Sequence, residues 1–242
     1  SVQVRALTTG GVAALTTAQA AALSVAQTGA LTTAQVEALE TQDLQVLATA
    51  QVAGLSTQSA VALNSVQVGA LTSAQVSALT SAQVGALTSV QVAALETEDV
   101  QVLKASQAAA LNSLQVSVLN TTQVSVLGSA SVAALSTKVV SALSTEQAAA
   151  LTTLQVSALT SAQVAALTTS VVEGLTSAQV EALGTAQVRA LTSAQIGALE
   201  TGDVSVLTSV QLGALTSVQV RALTTGGVAA LTTAQAAALS VD

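Results

Sequence analysis

Leucine recurs at every eighth position from Leu7 to Leu239, thirty times with no miss and no insertion. So strict a period is the mark of a repeat architecture, in which each unit buries its apolar face only against its neighbours. Counted from Thr8, it divides the chain into 29 complete octads ending at Leu239, with T-S-A-Q-V-x-A-L as the commonest form. Residues 72–79 (TSAQVSAL) and 80–87 (TSAQVGAL) show it almost pure. No linker or composition shift interrupts the period, so residues 1–242 read as a single uninterrupted array. The sequence opens on Ser rather than Met and carries no leader-like segment, which makes it read as a segment of a longer repeat protein.

The columns of the octad differ in chemistry. Position 1 is Thr, Ser, Asn or Gly in 24 of 29 units, and position 2 is Ser or Thr in 27. Position 4 is Gln in 20, and position 5 is Val, Ile or Leu in 23. Position 6 takes small, polar and charged residues alike, as expected of a solvent-facing site. Position 7 is always Ala, Val or Gly, as expected where another part of the chain packs close.

One long helix cannot satisfy this pattern. At about 100° per residue, successive leucines would rotate by about 80° and the apolar stripe would wander around the axis. A heptad coiled coil needs a seam at about 3.5-residue spacing and is excluded on the same ground. The helix must therefore restart in every octad. Thr at position 1 with Gln three residues later, as in Thr72 and Gln75, is the capping-box pattern, and Leu71 with Val76 then forms the hydrophobic staple. Position 2 is an even stricter Ser/Thr column and is the competing site for the cap. The expected fold is an all-α solenoid of very short helices, one per octad. Its rival is a β-solenoid, since Thr and Val favour strands and Val76, Ala78, Thr80, Ala82 and Val84 alternate with polar neighbours. That register puts every leucine on the polar face, and Ala and Gln are poor strand formers.

Composition narrows function more than it defines it. Phe, Trp, Tyr, Met, Cys, Pro and His are all absent, so no zinc, haem, iron–sulfur or disulfide site and no His- or Cys-dependent catalysis can be built. Charged residues are 7% of the chain, against about 25% in an ordinary soluble domain. The five basic residues, Arg5, Lys104, Lys138, Arg189 and Arg221, are scattered under a net charge of −7, which speaks against a nucleic-acid partner. Mean hydropathy is high at +0.69. Yet Ser, Thr or Gln breaks every apolar run short of the roughly 20 residues a transmembrane helix needs.

Three octads depart from the pattern together: ETQDLQVL (40–47), ETEDVQVL (96–103) and ETGDVSVL (200–207). Each places Glu at position 1 and Asp at position 4, giving the pairs Glu40/Asp43, Glu96/Asp99 and Glu200/Asp203. Two carboxylates are too few for calcium, which takes about six to eight oxygen ligands. The pairs read instead as carboxylates favoured by the positive end of a short helix, and whether they hold an ion stays open. Gly10-Gly11 recurs as Gly226-Gly227 and reads as a loosened turn, because a phosphate loop needs a longer glycine pattern and a nearby Lys. The Ser hydroxyls lack any base to activate them. No catalytic, cofactor-binding or metal-ligating residue is expected, and the chain reads as no enzyme.

Residues 1–25 are identical to residues 217–241, and the identity stops where Ala26 corresponds to Asp242. The outermost octads look like interior ones, without the polar caps that solenoids normally carry. The opening L-T-x-x-Q-V is similar to the start of TAL-effector DNA-binding repeats, but that unit is several times longer and rich in basic residues. The whole octad, L-[TS]-[TS]-x-Q-V-x-A, resembles the tandem arrays of very large bacterial secreted or surface proteins of adhesin-like type. That resemblance implies an extracellular or cell-surface structural role and transfers no catalytic residue. The expected function is a self-assembling protein forming a filament, sheath or adhesin stalk, whose partner is itself, head to tail. The alternative is a Thr/Ser-presenting module that contacts ice or a polysaccharide.

Overall fold

A computed structural model describes residues 2–239. Ser1 and residues 240–242 lie outside the described residues, and with them Asp242, where the identity of the two ends breaks. The described residues form thirty short α-helices, from Val2–Arg5 to Thr233–Ala237, and no strand. Each helix is four to six residues long, slightly shorter than one spanning most of the octad, and the β-solenoid reading is set aside.

The restart works as the capping pattern predicts, and position 1 is the cap. Thr72 is extended (φ −74°, ψ 153°) and Ser73–Ala78 is helical. Thr72 Oγ1 accepts the Gln75 backbone N–H at 3.3 Å, and Gln75 Oε1 accepts the Thr72 N–H at 2.9 Å. Two otherwise orphaned donors are thereby satisfied reciprocally. The position-2 residue is the first helical one. The staple residues Leu71 and Val76 are both buried.

The described helices end without a left-handed residue. Leu79 turns to an extended backbone (φ −54°, ψ 140°), and Thr80 continues it (φ −71°, ψ 156°) before the next helix starts at Ser81. Leu79 N–H still reaches the Val76 carbonyl at 3.2 Å, a tightened last turn. Two consecutive residues near polyproline-II geometry suffice to redirect the chain, and any L-residue adopts them. No described residue has a positive φ. This is why 14 glycines and no proline serve thirty helices.

The chain forms two compact units, Ser1–Ala134 and Leu135–Asp242. Within each, a helix packs against the third helix before it and the third after it. Ser73–Ala78, for example, lies against Thr49–Ala53 and Thr97–Gln101. Helices of this length are unstable alone, so the stacking of coils holds each in place. The core of each unit is the Leu column with the position-5 column, Val76, Val84 and Val180 among them. The position-6 residues face solvent as expected, but their Cα atoms press on the coil ahead. A Cβ on Gly85 would lie 2.9 Å from the Ala110 carbonyl oxygen, and one on Gly69 would lie 3.1 Å from that of Ala94. The small residue at position 7 lets the coils approach this closely.

Candidate functional site

The most regular polar feature is the column of buried glutamines, which the sequence identifies only as half of a capping box. While Gln75 Oε1 caps its own helix, Gln75 Nε2 donates to the carbonyls of Leu44 and Leu47, 31 and 28 residues earlier, each at 2.7 Å. Gln83 does the same to Val52 and Leu55 at 3.0 and 2.8 Å. In the second unit Gln195 reaches Val164 and Leu167 at 2.9 and 2.7 Å. One side chain thus closes a helix start and sutures it to the end of a helix in the preceding coil. These separations, with the third-helix packing, set each coil at a little over three octads.

A signal for this second role was present in the sequence. A capping box accepts Glu as readily as Gln, yet no octad has Glu at position 4. A carboxylate can accept from the cap residue but has no hydrogen to donate to the preceding coil, whereas an amide does both. Ser59 and Ser131 also stand in this column, and each keeps the inter-coil bond with its hydroxyl: Ser59 to Leu31 at 3.2 Å, Ser131 to Leu103 at 2.7 Å.

The three Asp residues occupy the same column and are buried, whereas an ionised carboxylate has no hydrogen to donate. Asp99 accepts from Ser73 Oγ at 2.8 Å and from the Glu96 N–H at 3.2 Å. Asp203 accepts from Ser177 Oγ at 2.9 Å. The Oδ2 atoms of Asp43 and Asp203 are buried without a hydrogen-bond partner. Burial pushes the Asp43 carboxyl above its ordinary value, and the neighbouring Glu40 carboxylate adds to that. Burial also raises Asp99, against the lowering effect of its bonds to Ser73 and Glu96. Glu40, Glu96 and Glu200 stand at the N-cap and cap nothing with their own oxygens. The structure thus brings each Glu/Asp pair together within its octad. Among the described residues no three carboxylates gather as a metal site would require.

Gly10-Gly11 and Gly226-Gly227 do not form the loosened turn expected of them. They sit in the first turns of Thr9–Ala13 and Thr225–Ala229. Thr8 and Thr224 Oγ1 accept the Gly11 and Gly227 N–H groups, each at 3.0 Å, so the cap holds the helix without a Gln. Ser117 and Ser157 donate to the carbonyls of Leu114 and Leu154 in their own helices.

The outside of the first unit carries an apolar column that the repeat pattern does not single out. Val66, Val90 and Leu114, all at position 3, are 70%, 66% and 74% exposed, and their helices pack in succession. The signal available was the replacement of the usual Ala by larger residues at 24-residue intervals. Among the described residues no helix is long and apolar enough to cross a membrane.

The family described as the ALTTAQ repeat matches residues 1–33, 36–73, 61–89, 67–96, 92–129, 124–161, 158–193, 172–201, 196–233 and 204–241. The six residues of that name stand unaltered at 14–19, 30–35 and 230–235. No curated protein matches the chain. The matched segments run from one end of the array to the other, and their unit contains both partners of the suture, the glutamine and the leucine: the chain belongs to the ALTTAQ repeat family.

Proposed function

We propose that the chain is a non-enzymatic structural array that associates with further copies of itself, end to end, to build an extracellular filament, sheath or adhesin stalk. The supporting observation is that the two faces of a coil are complementary. At the first coil Leu7 is 40% exposed and Leu15 and Leu23 are half-buried, while every octad leucine from Leu31 to Leu223 is buried. Gln19 and Gln27 keep their capping boxes but donate to no carbonyl among the described residues. At the other face the last glutamine, Gln235, reaches Leu207, and the carbonyls of Leu215, Leu223 and Leu231 receive no glutamine donor among the described residues. Amide donors and half-exposed leucines on one side therefore match carbonyl acceptors on the other, in the pairing that already joins coil to coil. Wherever such an array is interrupted, its two faces fit each other. A heterologous contact of this kind that does not close into a ring yields an open fibre, and the sparse charge opposes it little.

Electron microscopy and sedimentation of the purified 242-residue chain test the reading. Rods that lengthen with protein concentration are expected; monodisperse monomers at every concentration and salt would reject it.

A second reading, a module that contacts ice or a polysaccharide, draws on the position-2 hydroxyls. Thr145, Thr153 and Thr169 stand exposed at the starts of their helices. Ice-recrystallisation and glycan-binding assays separate this reading from the first.

A further inference from the structure

Among the position-4 residues Asp43 has the weakest polar surroundings relative to its burial. It is 2% exposed, its Oδ2 has no hydrogen-bond partner, and it makes no cap bond to its own helix Thr41–Val46. The other two acidic octads each supply a hydroxyl, Ser73 to Asp99 and Ser177 to Asp203, from a residue 26 positions earlier. The residue 26 positions before Asp43 is Thr17, and no hydrogen bond joins the two. The charged neighbour is Glu40, of the same sign. The helices packed against Thr41–Val46 are Thr17–Ala21 and Ser65–Gly69, and neither contains a titratable side chain. An ionised carboxylate here thus has neither a cation nor a sufficient set of donors, a costly arrangement for a buried charge.

A neutral carboxyl fits the position better. Ser59 and Ser131, whose side chains are shorter than that of Asp, reach the carbonyls 28 residues earlier with an O–H. The corresponding carbonyl for Asp43 is that of Leu15.

We propose that Asp43 is a proton-binding joint: on acidification its carboxylate takes a proton from hydronium, releasing water, and the new O–H donates to the Leu15 carbonyl. This restores between two coils the bond that Gln or Ser supplies elsewhere. The direction of the Asp43 shift agrees with the geometry, since burial and Glu40 both disfavour the ion. A carboxyl raised in the folded state adds stability that is fully present below its unfolded value and is lost as pH rises through the folded value. Acid therefore tightens this joint instead of loosening it. The device goes beyond the end-to-end association proposed above and does not depend on it.

The chain has only four Asp residues, Asp43, Asp99, Asp203 and Asp242, so selective 13C labelling of the Asp carboxyls gives four signals. Comparison with Asp43→Asn assigns one of them. Asp43 is expected to titrate above the ordinary value of 3.8. Asp43→Asn, which is neutral and carries a donor, is expected to melt higher than wild type at pH 7 and to show a smaller rise on acidification. A wild-type Asp43 signal titrating at or below that ordinary value overturns the proposal. So does an Asn variant whose melting temperature depends on pH as the wild type's does. If the variant does not fold, the titration is repeated with Asp43→Gln, the residue most octads carry, as the assignment reference.

Discussion

Gln75 Nε2 donates to the Leu47 carbonyl across 28 residues of chain at 2.7 Å, while Oε1 of the same side chain caps the start of its own helix, Ser73–Ala78. Capping and coil-to-coil suturing are therefore one event. A helix that frays loses its bond to the preceding coil, and a coil that lifts away loses its cap. The cooperativity of the array is written into this one side chain.

Substitution at this position separates the two roles. Gln75→Glu retains an acceptor for the Thr72 N–H but removes the donor, and it sets a buried charge before the Leu44 and Leu47 carbonyls. Leaving buried polar groups unpaired costs about 1–3 kcal/mol, and more when one is charged. Gln75→Glu is expected to be more destabilising than Gln75→Ala at pH 7, with the order narrowing in acid as the Glu protonates. Urea unfolding at pH 7 and pH 4 measures it. A Glu variant as stable as wild type at pH 7 would mean that the donor contributes nothing.

The leucine column and the position-6 column should respond very differently to charge. Leu119 is 3% exposed in the apolar layer, whereas Ser117 is exposed and only bonds back to its own helix. Leu119→Ala is expected to cost about 2–5 kcal/mol, and Leu119→Asp more, because it leaves an unpaired charge in the layer. Ser117→Lys should stay within about 0.5 kcal/mol of wild type. Equal losses at both sites, read by thermal melting, would show that the faces are wrongly assigned.

Two glycines at different octad positions should also diverge. A Cβ on Gly29 would stand 2.6 Å from the Gly54 carbonyl oxygen, whereas one on Gly10 meets nothing nearer than Thr8 Oγ1 at 4.0 Å. Gly10→Ala, inside a helix, should stabilise by about 0.5–1 kcal/mol through reduced freedom of the unfolded chain. Gly29→Ala should destabilise, because backbone on the facing coil must move. Calorimetry of the two variants decides, and equal melting temperatures would refute the close approach.

Much of this architecture was legible before any coordinates. The leucine period fixes the unit, and the capping-box pattern of Thr72 with Gln75 narrows the helix start to position 1 or position 2, because both follow from local rules; the structure decides for position 1. What lay hidden depends on which residues meet across a coil. The partners Gln75 and Leu47 are separated by no multiple of the octad unit, so the repeat does not align them by eye. Gly10 and Gly226 show the same limit, since they share 25 residues of identical sequence context. Even so, a Cβ on Gly226 would sit 2.8 Å from Thr201 Oγ1 while one on Gly10 is free. The difference is that a coil lies against one and not the other. Likewise the lone O–H donors Ser59 and Ser131 look like errors in the repeat until their bonds to Leu31 and Leu103 are seen. The acidic octads read as helix-end carboxylates, and the structure adds that the Asp of each pair is buried while its Glu is exposed.

The mode of association remains the most consequential prediction, because the chain offers two surfaces for it. The end face at the first coil carries half-exposed Leu15 and Leu23 beside the unsutured Gln19 and Gln27. The side of the first unit carries the exposed column Val66, Val90 and Leu114. End-to-end docking reuses leucine burial and amide-to-carbonyl bonds together, whereas the lateral column offers apolar contact without designed polar partners. Apolar area alone is a weak source of specificity. Leu15→Glu with Leu23→Glu should therefore shorten or abolish the rods while leaving the helical circular-dichroism signal near that of wild type, since neither leucine is fully buried in the single chain. Val66→Thr, Val90→Thr and Leu114→Thr combined should thin any bundles but leave individual rods as long as before. If the end variant still assembles and the side variant does not, copies meet through their flanks and the head-to-tail joint is wrong.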